Sequence, residues 1–132
     1  MQTFRNIMLV GFGGFAGSIL RYLMSGLVGH IFKINPFPLG TAVVNITGCF
    51  VIGLLGGLAE HLQAFSPYSR LFLFLGLLGG FTTFSTFSYE TVALLRDREL
   101  FIAFGNVGVH LLLGLAAVWL GLSCSKLLWG QA

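Results

Sequence analysis

The sequence predicts an all-α integral membrane domain of four transmembrane helices, on three observations. Hydrophobic residues make up 56% of the chain and charged residues only 8%, whereas an average soluble domain is about 25% charged. The mean hydropathy is +0.93. The apolar residues also gather into four windows separated by short stretches of charges and turn residues, each window near the roughly 20 residues that cross a bilayer as a helix. The 132 residues are read as one domain, 1–132, with no room for a soluble one.

The first window runs from about 7 to 28. It is rich in glycine (Gly11, Gly13, Gly14, Gly17) and carries one charge, Arg21. Arg5 ahead of an apolar run also fits a cleaved signal peptide, but no clear small-residue cleavage site follows, so the segment is read as a retained helix. Lys33, Asn35, Pro36 and Pro38 then mark a turn. The second window, about 39–59, has no formal charge. A polar loop from Glu60 to Arg70, with Pro67, leads to the third window, about 71–95. The short charged loop Arg96-Asp97-Arg98-Glu99 precedes the fourth, about 100–125.

The third window is unlike the others. Gly79-Gly80 is expected to break its helix, and the next residues, Thr82 to Ser88, hold five hydroxyls in seven positions, interleaved with Phe84 and Phe87. A segment facing only lipid gains nothing from this chemistry. Hydroxyls and irregular backbone survive at membrane depth where they are buried in protein or line a polar path. Interrupted intramembrane helices also free carbonyls that can hold a cation.

Charge excludes some functions and shapes others. The seven basic residues are scattered, so nucleic acid is not an expected partner. Cys49 and Cys124 lack metal-ligand spacing and read as small buried apolar residues. No Ser-His-Asp arrangement is visible, and the chain is not read as an enzyme. With four spans, one side of the membrane receives Arg5, Arg70 and Lys126 and the other Lys33, Arg96 and Arg98, three each. The positive-inside rule then gives almost no orientation. Such a chain can insert both ways and pair as an antiparallel dual-topology homodimer; one preferred orientation is the alternative. Small-xxx-small pairs such as Gly13/Gly17 and Gly53/Gly57 allow close helix packing, which outweighs the loose dinucleotide fingerprint at Gly11-x-Gly13-x-x-Ala16.

Each polar residue inside a span has two readings. Arg21 costs about 2.5–3.5 kcal/mol at a bilayer centre; it either snorkels to the interface or stands at the mouth of an anion path. Thr41 and Asn45 share a helix face, and Asn45 is either interhelical glue or a donor to a passing anion. Glu90 is the only acidic residue within a span. It keeps proton coupling open, or pairs with Arg21. Phe84 and Phe87 share a face, and their positive ring edges suit an anion, although phenylalanines at this spacing are also ordinary packing. Asn106 and His110 share a face in the fourth span, and His110 can titrate. His30 and His61 sit near span ends.

These residues resemble the Fluc family of fluoride channels, also called CrcB-type proteins. The resemblance covers nearly the whole chain. It rests on Gly13-Gly14-x-x-Gly17-x-x-x-Arg21, on Gly40-Thr41-x-x-x-Asn45-x-x-Gly48, and on Gly79-Gly80-Phe81-Thr82-Thr83-Phe84-Ser85-Thr86-Phe87-Ser88-x-Glu90. It implies an antiparallel homodimer in a bacterial inner or plasma membrane, with two fluoride pores along the subunit interface and passive fluoride export that confers resistance. It further implies that Phe84 and Phe87 meet fluoride through ring edges, that Asn45 donates to the anion, and that Ser85, Thr86, Thr41, Arg21 and Glu90 continue the polar lining. A structural sodium ion is implied at the dimer centre, held by main-chain carbonyls of Gly79 and Thr82 from both subunits. The fourth span matches the family less well; Asn106 and His110 are its candidate lining residues. Rival functions are a proton-coupled multidrug exporter, which would need a carboxylate that the first span lacks, a fluoride/proton antiporter using Glu90, and a purely structural subunit.

Overall fold

The computed structural model describes residues 1–33, 36–62 and 65–130. Among them, four helical segments are long and apolar enough to cross a membrane: Gln2–Phe32, Leu39–Leu62, Pro67–Arg96 and Leu100–Trp129. They are the first to fourth spans below. Most of their ends run past the apolar windows, because a helix once formed continues through flanking polar residues such as Glu60 and His61. The 31-residue first span is about 46 Å long at 1.5 Å per residue, enough to reach through both headgroup layers.

Local chemistry sets the ends. The first span stops at Lys33, which takes a left-handed conformation with φ 44° and donates its N–H to the Gly29 carbonyl. Asn35 of the expected turn lies outside the described residues, as do Gln63 and Ala64 of the following loop. The third span starts with Pro67 in its first turn, where a missing N–H costs nothing, and Ser66 caps it by accepting from the Ser69 N–H at 3.2 Å. It ends in a Schellman turn: Glu99 N–H donates to Leu94 O at 2.9 Å and Arg98 N–H to Leu95 O at 3.2 Å, with Arg98 at φ 64°.

The spans pack in two tight pairs. The first lies along the first half of the third, and the second lies along the fourth. Glycines set both distances. A methyl group on Gly13 would lie 2.9 Å from Gly76 Cα, and one on Gly80 would lie 2.9 Å from Gly14 Cα. In the other pair, a methyl on Gly53 would lie 3.0 Å from Val118 Cα and run into its carbonyl oxygen, and one on Gly121 would lie 2.6 Å from Leu54 N. Without a hydrophobic drive between helices in lipid, such backbone contact is what holds spans together.

The expected helix break at Gly79-Gly80 is not found there. Gly79 has helical dihedrals, and both glycines belong to the helical stretch Gly79–Phe81. Gly80 instead serves close approach to the first span. The residues that leave the helix are Thr82 and Thr83, both extended, with ψ 154° and 113°. Two stretches have π-helical bonding, Leu71–Leu78 in the third span and Val109–Leu113 in the fourth. The first span leaves a row of large side chains uncovered, including Phe12, Phe15, Ile19, Leu23 and Leu27. Cys49 and Cys124 are free thiols, half-buried rather than buried as expected.

Candidate functional site

Extended backbone inside a membrane protein must find partners, and at Thr83 the second span supplies them. Asn45 Oδ1 accepts from Thr83 N–H at 2.8 Å, and Asn45 Nδ2 donates to Thr83 O at 3.1 Å. One amide thus satisfies both main-chain groups of one residue. The Thr83 side chain then restarts the helix: its Oγ1 accepts from Thr86 N–H at 3.2 Å as an N-cap. It also lies 3.2 Å from Ser85 Oγ and 3.0 Å from Thr86 Oγ1. The interhelical role of Asn45 is therefore realised; one Nδ2 hydrogen remains for a further acceptor.

These bonds have a consequence at Gly79 and Thr82. In a continuous helix, Gly79 O would accept from Thr83 N–H and Thr82 O from Thr86 N–H. Both donors are taken, the first by Asn45 and the second by Thr83 Oγ1. The two carbonyls expected to face a sodium ion are thus among those left without their helical amides. The residues fit an oxygen-coordinated cation, for a different reason than a glycine break.

Phe84 and Phe87 line one open cavity of about 370 Å³ with Asn45, Thr82, Thr83 and His110. Among the described residues, no carboxylate and no Lys or Arg lines it. The two rings are 5.5 Å apart at 53°. Phe84 is 79% exposed, so it stands on the outer surface of the chain, and Ser85 beside it is exposed as well. Behind Phe87, the His110 ring lies 4.3 Å away at 37°. His110 Nδ1 is 2.9 Å from Asn106 O, and since a carbonyl only accepts, Nδ1 carries the hydrogen. Asn106 is fully buried. Its Nδ2 donates to Thr91 Oγ1 at 2.9 Å, and the Thr91 hydroxyl donates to Phe87 O at 2.8 Å. The fourth-span pair is thus tied to the phenylalanine segment.

The remaining candidates form a second group. Arg21 is half-buried and lines a cavity of about 450 Å³ with Ser25, Thr41, Thr83 and Thr86. Thr41 also lines a neighbouring cavity of about 380 Å³ with Glu90 and Lys33. The Thr41 hydroxyl donates to Glu90 Oε1 at 2.7 Å. Glu90 therefore takes a threonine as partner within the chain, and its carboxylate and Arg21 line different cavities. Its second oxygen, Oε2, is buried without a partner.

The structure thus connects Asn45, Phe84, Ser85, Thr86, Phe87, Asn106 and His110 through hydrogen bonds and ring contacts, while Arg21 and Thr41 share a cavity lining with Thr86 and Glu90 is bonded to Thr41. Sequence reasoning missed three participants. Thr83 read as one hydroxyl among several, although Ser/Thr at a helix restart is a capping signal. Thr91 gives no sign beyond lying four residues after Phe87. Cys49 lines the phenylalanine cavity, one turn after Asn45 on the same face.

The four long apolar helices define a multi-pass membrane protein. The chain belongs to the CrcB family: the family described as "CrcB-like protein, Camphor Resistance (CrcB)" matches residues 8–122. It is 44% identical over 122 residues to a protein of Flavobacterium psychrophilum named "Fluoride-specific ion channel FluC", covering 92% of this chain and 98% of that one. Proteins of the same name are similar in Methylobacillus flagellatus, with 46% identity over 92% of this chain and 94% of that one, and in Elusimicrobium minutum, with 42% identity over 97% and 99%.

Proposed function

We propose that this protein is a fluoride-selective channel that lets cytoplasmic fluoride leave passively and so confers fluoride resistance, working as an antiparallel homodimer in a bacterial inner or plasma membrane. Family membership and the names of its relatives support the fluoride assignment. The observation that carries it is the cavity where Phe84 and Phe87 meet Asn45 and the threonine backbone, with no fixed full charge among its described lining residues.

Fluoride is small and strongly hydrated. A pore for it must replace water with fixed donors without holding the ion too tightly. The free Nδ2 hydrogen of Asn45, the hydroxyls of Ser85 and Thr86, and the ring edges of Phe84 and Phe87 are partial positive charges, each weaker than a full cation. Arg21 raises the positive potential at one mouth and disfavours cations. A membrane potential negative inside drives the anion outward by about 2.3 kcal/mol per 100 mV.

The dimer accounts for the exposed Phe84 and Ser85. A hydroxyl and an aromatic pair on an outer face gain little from lipid, and a second copy covers them and closes two pores at the interface. The balanced loop charges favour insertion both ways. Gly79 and Thr82 carbonyls from both subunits would hold a sodium ion, which supplies fixed positive charge and ties the subunits together.

The test is fluoride efflux from liposomes holding purified protein, with a potassium gradient and valinomycin setting the voltage and chloride as control. The proposal expects fast fluoride-selective efflux that follows voltage and needs no proton gradient. Absence of fluoride flux from folded protein overturns it. A second reading, fluoride/proton antiport, is favoured by the buried, unpartnered Oε2 of Glu90. Flux that requires a proton gradient and stops in Glu90→Gln supports the antiporter instead.

A further inference from the structure

We propose that Lys33 is the charge-compensating residue at the outer end of the fluoride path: it offsets the Glu90 carboxylate across the cavity where the first and second spans meet, and so lets an anion pass that carboxylate. The proposal rests on the channel reading above and deepens it.

Three cavities adjoin in series. The phenylalanine cavity shares Thr83 with the Arg21 cavity. The Arg21 cavity shares Ser25 and Thr41 with the third, of about 380 Å³, which Lys33 lines at the end of the first span. Arg21, Ser25, Gly29 and Lys33 follow one another at four-residue steps, one ridge of a helix. That ridge runs from the Arg21 cavity into the Lys33 cavity. The two spans touch at the same place: a methyl on Gly40 would lie 2.9 Å from Ser25 O.

Among the described lining residues of the third cavity, Lys33 and Glu90 are the two that carry charge. Thr41 donates to Glu90 Oε1 at 2.7 Å, and Oε2 is buried with no hydrogen-bond partner. The carboxylate is therefore not neutralised by contact. Beside an anion path it repels the ion, and away from bulk water that repulsion is weakly screened. The helix ends do not decide the balance. The negative C-terminal end of the first span and the positive N-terminal end of the second both border this cavity, and they oppose each other. What remains is one ammonium against one carboxylate. Lys33 is exposed, and its backbone is fixed at the helix end by its N–H bond to Gly29 O at 3.2 Å. The ammonium thus stays in reach of water, draws fluoride to this mouth and offsets the field of Glu90 behind it.

The experiment is the unitary fluoride current of the full-length protein in planar bilayers at about 0.1 M fluoride, alone and with potassium gluconate raising the ionic strength to about 1 M. That addition shortens the Debye length from about 10 Å to about 3 Å. The expected result is at least about a twofold smaller current in Lys33→Gln at the lower ionic strength, a loss that shrinks at the higher one, and a near-wild-type current in Lys33→Arg. Glu90→Gln removes the charge and keeps an oxygen for Thr41, so adding it to Lys33→Gln should restore at least about half of the lost current. A wild-type current in Lys33→Gln overturns the proposal. A loss that Lys33→Arg does not rescue, or that salt does not shrink, also overturns it and makes Lys33 a structural residue. A double variant no better than Lys33→Gln overturns it as well, because Glu90 then holds no charge that needs offsetting. No fluoride current in wild type contradicts the channel reading itself.

Discussion

At Asn45 one side chain holds two backbone groups that a membrane would otherwise leave unsatisfied, and that is where a single substitution should hurt most. Asn45→Ala leaves the N–H and the C=O of buried Thr83 without partners. The expected loss is about 2–4 kcal/mol, read as a fall in the thermal unfolding midpoint in detergent; an unchanged midpoint contradicts the capping role. Thr41 behaves similarly on a smaller scale. Thr41→Val removes the donor to Glu90 Oε1 and should cost about 1–2 kcal/mol, while Thr41→Ser, which keeps the hydroxyl, should unfold near the wild-type midpoint. At this scale the sequence was informative about which residues matter and less so about what they hold. Asn45 stands out because an amide in an uncharged span needs a partner. That the partner is the main chain of Thr83 depends on how two spans meet, which one-dimensional spacing does not contain.

Among the elements, the third span shows how a strong local signal can point to the wrong residue. Two adjacent glycines suggest a weak point, and the chain is irregular nearby, but the irregularity falls at Thr82 and Thr83. Glycine weakens a helix in isolation by roughly 1 kcal/mol. Here that loss is offset because Gly80 meets Gly14 of the first span backbone to backbone. β-branched threonines with hydroxyls able to cap are better placed to leave the helix. The four spans, and the starts of the second and fourth, were legible because their signal is simple: long apolar runs between charges. The same contact logic predicts a contrast within the second span. A methyl at Gly53 would meet the Val118 backbone, whereas one at Gly56 would meet nothing within 4 Å. Gly53→Ala should destabilise by about 1–3 kcal/mol, and Gly56→Ala should be neutral or slightly stabilising; equal unfolding midpoints for the two contradict the packing account. In the loop after the third span, Arg98 sits at φ 64°, a conformation that costs a side-chain-bearing residue about 1–2 kcal/mol. Arg98→Gly should therefore raise the unfolding midpoint.

On the scale of the whole molecule, the chain leaves much apolar and aromatic surface uncovered. Its first span is mostly uncovered, Phe84 is 79% exposed, and the cavities that gather the polar residues open to the outside. In the antiparallel dimer proposed above, a second, inverted copy would cover the aromatic-hydroxyl face, and the even split of loop charges would let it insert that way round. The flat charge balance was legible from the sequence alone; the exposure of Phe84 was not, because helical phenylalanines look the same whether they fill a core or face a partner. Labelled subunits in liposomes at high dilution should bleach in two steps, and a single step would remove the basis for an interfacial pore. The central claim is that fluoride passes at the Phe84–Phe87 cavity by conduction. Its most direct measurement is the reversal potential in a planar bilayer with fluoride on one side and chloride on the other, for wild type and for Phe84→Ile. The account predicts a wild-type reversal potential set by fluoride alone and the loss of fluoride current in Phe84→Ile. A reversal potential that follows chloride equally, or an undiminished fluoride current in Phe84→Ile, would contradict it.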